Sequence, residues 1–134
     1  KDVMNVLGLI RKNYSIDTKN IFLWGHSMGG AGTYHLAMKY PELWKALALA
    51  APAPPQVRDI KDLKIIKNIP ILILQGTKDR LVHPTREWVA EMKRLEMNYI
   101  YDEIVGADHS LFISKNKDNI KKIFDFFIEY RDEG

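Results

Sequence analysis

Along this chain, apolar and polar positions change their period several times. Val3, Val6, Leu7 and Ile10 recur at helical spacing and predict an opening helix that runs to about Asn13. Ser15-Ile16-Asp17-Thr18 reads as a turn. Ile21–Trp24 is a short, β-prone apolar run and predicts the first strand. A helix is expected over about Met28–Lys39, with Ala31, Tyr34 and Met38 as its inward stripe and Pro41 ending it. Leu43–Ala51 is almost continuously apolar, which suits a strand buried on both faces of a parallel sheet. Pro52-Ala53-Pro54-Pro55 interrupts the pattern, and a short amphipathic helix follows near Asp59–Lys67. Pro70–Gln75 is the clearest strand and is closed by Gly76-Thr77-Lys78-Asp79. A helix over about Pro84–Leu95 comes next, its proline harmless in the first turn. Asn98–Val105 predicts the next strand, ended by Gly106-Ala107-Asp108-His109. The last helix, about Lys117–Tyr130, would turn Ile120, Ile123, Phe124 and Phe127 to one side.

Strands alternating with helices imply an α/β fold: a mainly parallel sheet with helices on both faces. The 134 residues, 46% hydrophobic and 28% charged, suit one compact domain. No repeat, low-complexity tract or linker divides them. With no cysteine, disulfides and thiolate metal sites are excluded. No apolar run approaches the roughly twenty residues of a transmembrane helix, so no membrane partner is expected. The net charge of +3 is small. Lysines gather at Lys61/Lys64/Lys67 and Lys115/Lys117/Lys121/Lys122, but acidic residues interleave both groups. These are read as solvated helix faces, and no nucleic-acid partner is expected. The first ten residues carry Asp2 and Asn5 among apolar positions and do not resemble a signal peptide, so a cytoplasmic location is favoured. Lysine at position 1, inside a helical pattern with no cap before it, suggests part of a longer polypeptide.

Chemistry concentrates where strands end. Gly25-His26-Ser27-Met28-Gly29 closes the first strand directly and opens a helix, with serine at the apex. Such a turn holds the serine in a strained backbone conformation with its hydroxyl projecting, and glycines at 25 and 29 are expected to avoid collisions. Alone, the pentapeptide is weak evidence: chance produces it in roughly one chain of this size in twenty-five. The plain alternative is a glycine-rich turn whose serine caps the helix.

Asp79 after the third strand and His109 after the fourth strengthen the first reading. In open parallel sheets, functional groups collect at the carboxyl ends of strands, so Ser27, Asp79 and His109 are expected on one edge. A serine hydroxyl needs a base to become a nucleophile, and imidazole titrates near neutrality. A carboxylate holds the imidazole in the required tautomer. The Met28 N–H, at the helix start, is a natural oxyanion donor.

With these segments the chain resembles the α/β-hydrolase superfamily. The likeness rests on Gly25-His26-Ser27-Met28-Gly29-Gly30, on Gln75-Gly76-Thr77-Lys78-Asp79 with Val82 and Pro84, and on Gly106-Ala107-Asp108-His109. Within it, the microbial esterase and prolyl-oligopeptidase-like branch is the most similar. The resemblance implies a serine hydrolase for carboxylic esters working through an acyl-enzyme without cofactor or metal. A prolyl-oligopeptidase-type peptidase and a non-catalytic module are the alternatives. It implies, too, that residues 1–134 are the C-terminal portion of a single hydrolase domain. Its first strands and second oxyanion donor would then lie upstream of Lys1, leaving Ile21–Trp24 without a partner on one side. A segment or companion chain completing the fold is therefore expected, beside a small-molecule ester substrate.

Other polar residues carry plainer readings. His26, inside the elbow, is expected to pack locally or to take a binding role toward substrate. His35 reads as structural, and His83 as at most a minor binding residue. No histidine pair has metal-site spacing. Asp102 and Glu103 sit within a strand and Asp108 adjoins the histidine, so Asp79 is the preferred acid. Ser110 and Ser114 read as loop and cap residues. The short Pro52–Asn68 segment predicts a small cap and an accessible site.

Overall fold

The computed structural model describes residues 20–56, 58–109 and 117–131. The predicted opening helix and first turn, Ser110 and Ser114 lie outside these residues. Four strands, β1 (Phe22–His26), β2 (Ala46–Ala50), β3 (Ile71–Gly76) and β4 (Tyr99–Ile104), form one sheet in the order β1-β2-β3-β4, parallel throughout. The helices are α1 (Met28–Lys39), α2 (Val82–Arg94) and α3 (Lys117–Glu129), with 3₁₀ turns at Pro41–Leu43 and Ile60–Ile66. Parallel neighbours need a crossover between them, which is why every strand is followed by helical structure.

Burial on both faces explains the unbroken apolar strands. In β2, Leu47 and Leu49 face one side while Ala46, Ala48 and Ala50 face the other, and all five are fully buried. The leucine face joins Ile71 and Ile73 and is covered by Tyr34, Ala37 and Met38 of α1 and Trp88 and Met92 of α2. The alanine face, with Leu72 and Leu74, receives Ile123, Phe126 and Phe127 of α3. Small alanines there leave room for phenylalanine rings, and Phe127 stacks on Phe22 at 4.7 Å.

Several expectations need correction. β2 starts three residues later than predicted, because Pro41–Leu43 forms a 3₁₀ turn and the Trp44 indole donates to the Leu36 carbonyl at 3.2 Å. The short helix expected near Asp59–Lys67 is a 3₁₀ helix over Ile60–Ile66, started by a capping box between Asp59 and Asp62. The buried face of α1 is Gly30, Thr33, Tyr34, Ala37 and Met38, with Ala31 only half-buried. On α3, Phe124 is exposed and Phe126 takes the core position. Phe124 turns instead toward a groove of about 330 Å³ shared with Trp24 and Ile128, at the side of β1. Among the described residues, β1 has a hydrogen-bonded neighbour on one side only.

Candidate active site

Strand β1 delivers its chain straight into the elbow. Ser27 has φ 59° and ψ −117°, a region that non-glycine residues rarely occupy. Its N–H continues the sheet by donating to the Ala50 carbonyl at 3.0 Å, and its own carbonyl accepts from Gly30, Ala31 and Ala53. Ser27 stands at the N-cap position of α1, yet its hydroxyl makes no capping hydrogen bond. The helix-cap reading of this serine therefore fails, and Oγ is left for another partner.

Glycine at 25 is obligatory, since a Cβ there would stand 2.1 Å from the Gly29 carbonyl oxygen. The expectation of a similar collision at Gly29 is wrong: a Cβ there would meet nothing within 4 Å. The crowded second glycine is Gly30, where a Cβ would lie 2.7 Å from Pro52. The elbow packs against the turn after β2, and Gly29 points away from it.

At the end of β3, Asp79 is 4% exposed and divides its carboxylate between two tasks. Oδ1 accepts from the Leu81 N–H at 2.9 Å, and Oδ2 meets His109 Nδ1 at 2.7 Å. One carboxylate oxygen thus closes a local turn and the other meets the histidine. On its other edge, His109 Nε2 lies 2.8 Å from Ser27 Oγ. The loop carrying His109 is tied to the turn carrying Asp79 by two bonds: Gly106 N–H to Thr77 Oγ1 at 2.9 Å and Lys78 N–H to the Ala107 carbonyl at 3.0 Å. Gly76 permits that approach, since a Cβ on it would stand 2.3 Å from the Ala107 carbonyl oxygen.

These three residues border an open cleft of about 710 Å³, with Met28 and Ala53 on its wall. As the first residue of α1, Met28 presents an N–H with no acceptor inside the helix, at the positive end of its dipole. Sequence reading missed Lys78, Arg80 and Leu81 as lining residues; their adjacency to Asp79 at a strand end was the available signal. Ala53, from the proline-rich break, brings the segment after β2 to the site as expected.

Most of the remaining candidates lie outside the cleft. His26 does not line the cleft; its imidazole stacks on the His109 ring, with centroids 5.0 Å apart. Burial lowers the His26 pKa from its ordinary value. His35, on α1, accepts from Arg58 at 3.4 Å, and burial together with Arg58 lowers its pKa. His83 is exposed at the start of α2. Asp102 pairs with Lys122 at 2.7 Å, and Glu103 is engaged by Arg86 and Tyr101. Asp108 lines the cleft, whereas the carboxylate that meets His109 Nδ1 is that of Asp79.

The family model described as serine aminopeptidase, S33, matches residues 1–66. A bifunctional acetylxylan esterase/xylanase from Neocallimastix patriciarum is 33% identical over 81 residues, which is 60% of this chain and 12% of that protein. Among solved structures, a thermostable esterase superposes with a TM-score of 0.77 at 25% identity, over 92% of this chain and 35% of its own. The chain belongs to the α/β-hydrolase superfamily. Arabidopsis thaliana SOBER1 has the same fold, with a TM-score of 0.74 at 23% identity over 96% of this chain and 62% of its own. The chain thus spans less than two thirds of the length of each of these relatives. As in the superfamily at large, its candidate groups sit at the carboxyl ends of parallel strands.

Proposed function

We propose that this α/β-hydrolase chain carries the catalytic centre of a serine esterase acting through an acyl-enzyme. The observation that carries the reading is one line of contacts: Ser27 Oγ to His109 Nε2 at 2.8 Å and His109 Nδ1 to Asp79 Oδ2 at 2.7 Å. Ser27 Oγ attacks the ester carbonyl carbon while His109 Nε2 takes the hydroxyl proton. Asp79 holds Nδ1–H and stabilises the imidazolium that forms. The Met28 N–H faces the oxyanion of the tetrahedral intermediate, helped by the α1 dipole. As the intermediate collapses, the carbon–oxygen bond to the alcohol breaks and His109 returns the proton to that oxygen. Water then repeats the sequence on the acyl-enzyme, with His109 as base, and releases the carboxylic acid.

In the complete protein, Ser27→Ala should abolish fluorophosphonate labelling and lower ester turnover by about a thousandfold or more with unfolding unchanged. Retained labelling would refute the assignment by placing the reactive nucleophile elsewhere, and a parent protein that takes no label would leave a non-catalytic module. The serine aminopeptidase match favours a second reading, a peptidase. Parallel assays with a p-nitrophenyl ester series and aminoacyl p-nitroanilides separate the two, and faster anilide cleavage would select the peptidase.

We also propose that residues 1–134 form the C-terminal portion of the catalytic domain. In that arrangement further polypeptide covers the side of β1 that lacks a strand neighbour among the described residues, and supplies a second oxyanion donor. Support comes from the limited share of each relative that the chain spans and from the apolar groove beside β1.

A further inference from the structure

Asp79 and Ser27 hold opposite edges of the His109 ring, which leaves it one freedom: rotation about the line joining those two contacts. The His26 imidazole lies against the face of that ring, with centroids 5.0 Å apart and planes 22° from parallel. We propose that His26 is a positioning residue, whose flat ring stacks on His109 and keeps it in the plane that Asp79 and Ser27 share. The inference rests on the esterase reading of Ser27, Asp79 and His109.

His109 needs such a support more than its partners do. Its loop contains Gly106 at φ +82°, and the bonds tying that loop to Thr77 and Lys78 anchor backbone, not ring. Its side chain is 39% exposed, against 2% for that of Asp79. His26, by contrast, stands at the end of β1, paired in register with Ala50 of β2. The stack therefore carries the rigidity of the sheet to a side chain on a loop. A face-to-face partner removes the rotation that two in-plane hydrogen bonds allow, so less of the reactive geometry must be found by chance.

The charge state suits the role. His109 gains a proton in each half-reaction, and a second imidazolium on its face would oppose that. Burial keeps His26 below its ordinary pKa, and nearby His109 acts in the same direction. Asp79 and a hydrogen bond with the His109 backbone act against them. The other charged groups bordering the cleft are Lys78 and Arg80, opposed by Asp108.

Four variants of the complete polypeptide test this: His26→Ala, His26→Phe, His26→Gln and, as control, Ser27→Ala. Each is followed by fluorophosphonate labelling rate, kcat and KM on a p-nitrophenyl ester, and thermal unfolding. The expected result is a roughly tenfold fall in kcat and labelling rate for His26→Ala, with KM within about twofold. His26→Phe, which keeps a flat face, should recover to within about threefold of the parent, while His26→Gln stays with His26→Ala. A merely structural role would lower the unfolding midpoint without this pattern. A kcat for His26→Ala within about twofold of the parent, a loss confined to KM, or a His26→Phe as slow as His26→Ala overturns the proposal. If His26→Ala fails to fold, equal rates for the Phe and Gln variants overturn it. Labelling retained in Ser27→Ala would refute the esterase reading itself. Labelling lost there but unchanged across the His26 series refutes the positioning role alone.

Discussion

Ser27 sits in a backbone conformation that costs on the order of 1–3 kcal/mol, and its neighbours hold it there. Its N–H and carbonyl are both engaged, the latter three times over, so the turn cannot relax without breaking several bonds. Gly25 is part of the same constraint, while Gly29, two residues beyond the nucleophile, is not. This separates two substitutions that the pentapeptide alone would rank as equals. Gly25→Ala should lower stability by about 1–3 kcal/mol or more, because backbone atoms fill the space its Cβ would take. Gly29→Ala should be neutral or stabilising by up to about 1 kcal/mol, as alanine for glycine in an open helical position. Urea unfolding of the two variants checks the pair, and equal destabilisation would contradict the geometry. At this scale the sequence identified the three side chains proposed to react and the need for glycine at 25. It could not assign the two Asp79 oxygens or put His26 against His109, since those depend on contacts between distant residues.

At the scale of elements, alternation in β2 did most to specify the fold. Leucine on one side and alanine on the other gave α1 and α2 a thick apolar face and gave α3 a thin one. Both the existence of this strand and its burial were readable from Leu43–Ala51. The position of Phe124 was not, because a helical apolar stripe wider than its contact can settle in more than one rotation. Packing against the alanine face selected Ile123, Phe126 and Phe127. Helix α2 is fastened to β4 by a small polar group. Arg86 donates twice to Glu103, at 2.7 and 2.9 Å, and the Tyr101 hydroxyl donates to the same carboxylate. The bonds from Arg86 and then Tyr101 hold the Glu103 pKa down, to about 2 from 4.5. A carboxyl depressed in the folded state contributes stability above its ordinary pKa and loses it as pH falls through the folded value. Urea midpoints of the parent should therefore fall between about pH 4.5 and pH 2, and part of that fall should vanish in Glu103→Gln. The group is solvent-accessible, so the effect is screened and small, and identical acid profiles would remove Glu103 from the account.

For the molecule as a whole, the side of β1 that has no strand neighbour among the described residues is the dominant feature. Trp24 is 38% exposed there, beside Phe124 and Ile128 at 52% and 59%. A strand edge with unpaired backbone groups and apolar neighbours invites association. The 134-residue polypeptide in isolation should self-associate and lack full ester turnover, and Trp24→Lys should raise its monomer fraction in size-exclusion chromatography. A monodisperse, fully active parent chain would count against the proposal that further polypeptide covers β1. The sequence by itself determined the alternation of strands and helices, the elbow at Ser27, and the ends of β3 and β4 as the places for an acid and a base. These follow from backbone sterics and apolar periodicity over a few residues, which local sequence encodes directly. Only the tertiary structure decided the rest: Ser27 and His109, 82 residues apart, within 2.8 Å, the close pass of Gly76 by the histidine loop, and the imidazole of His26 on the ring it faces. Such contacts depend on how whole elements pack against one sheet, and no stretch of the chain carries that information alone.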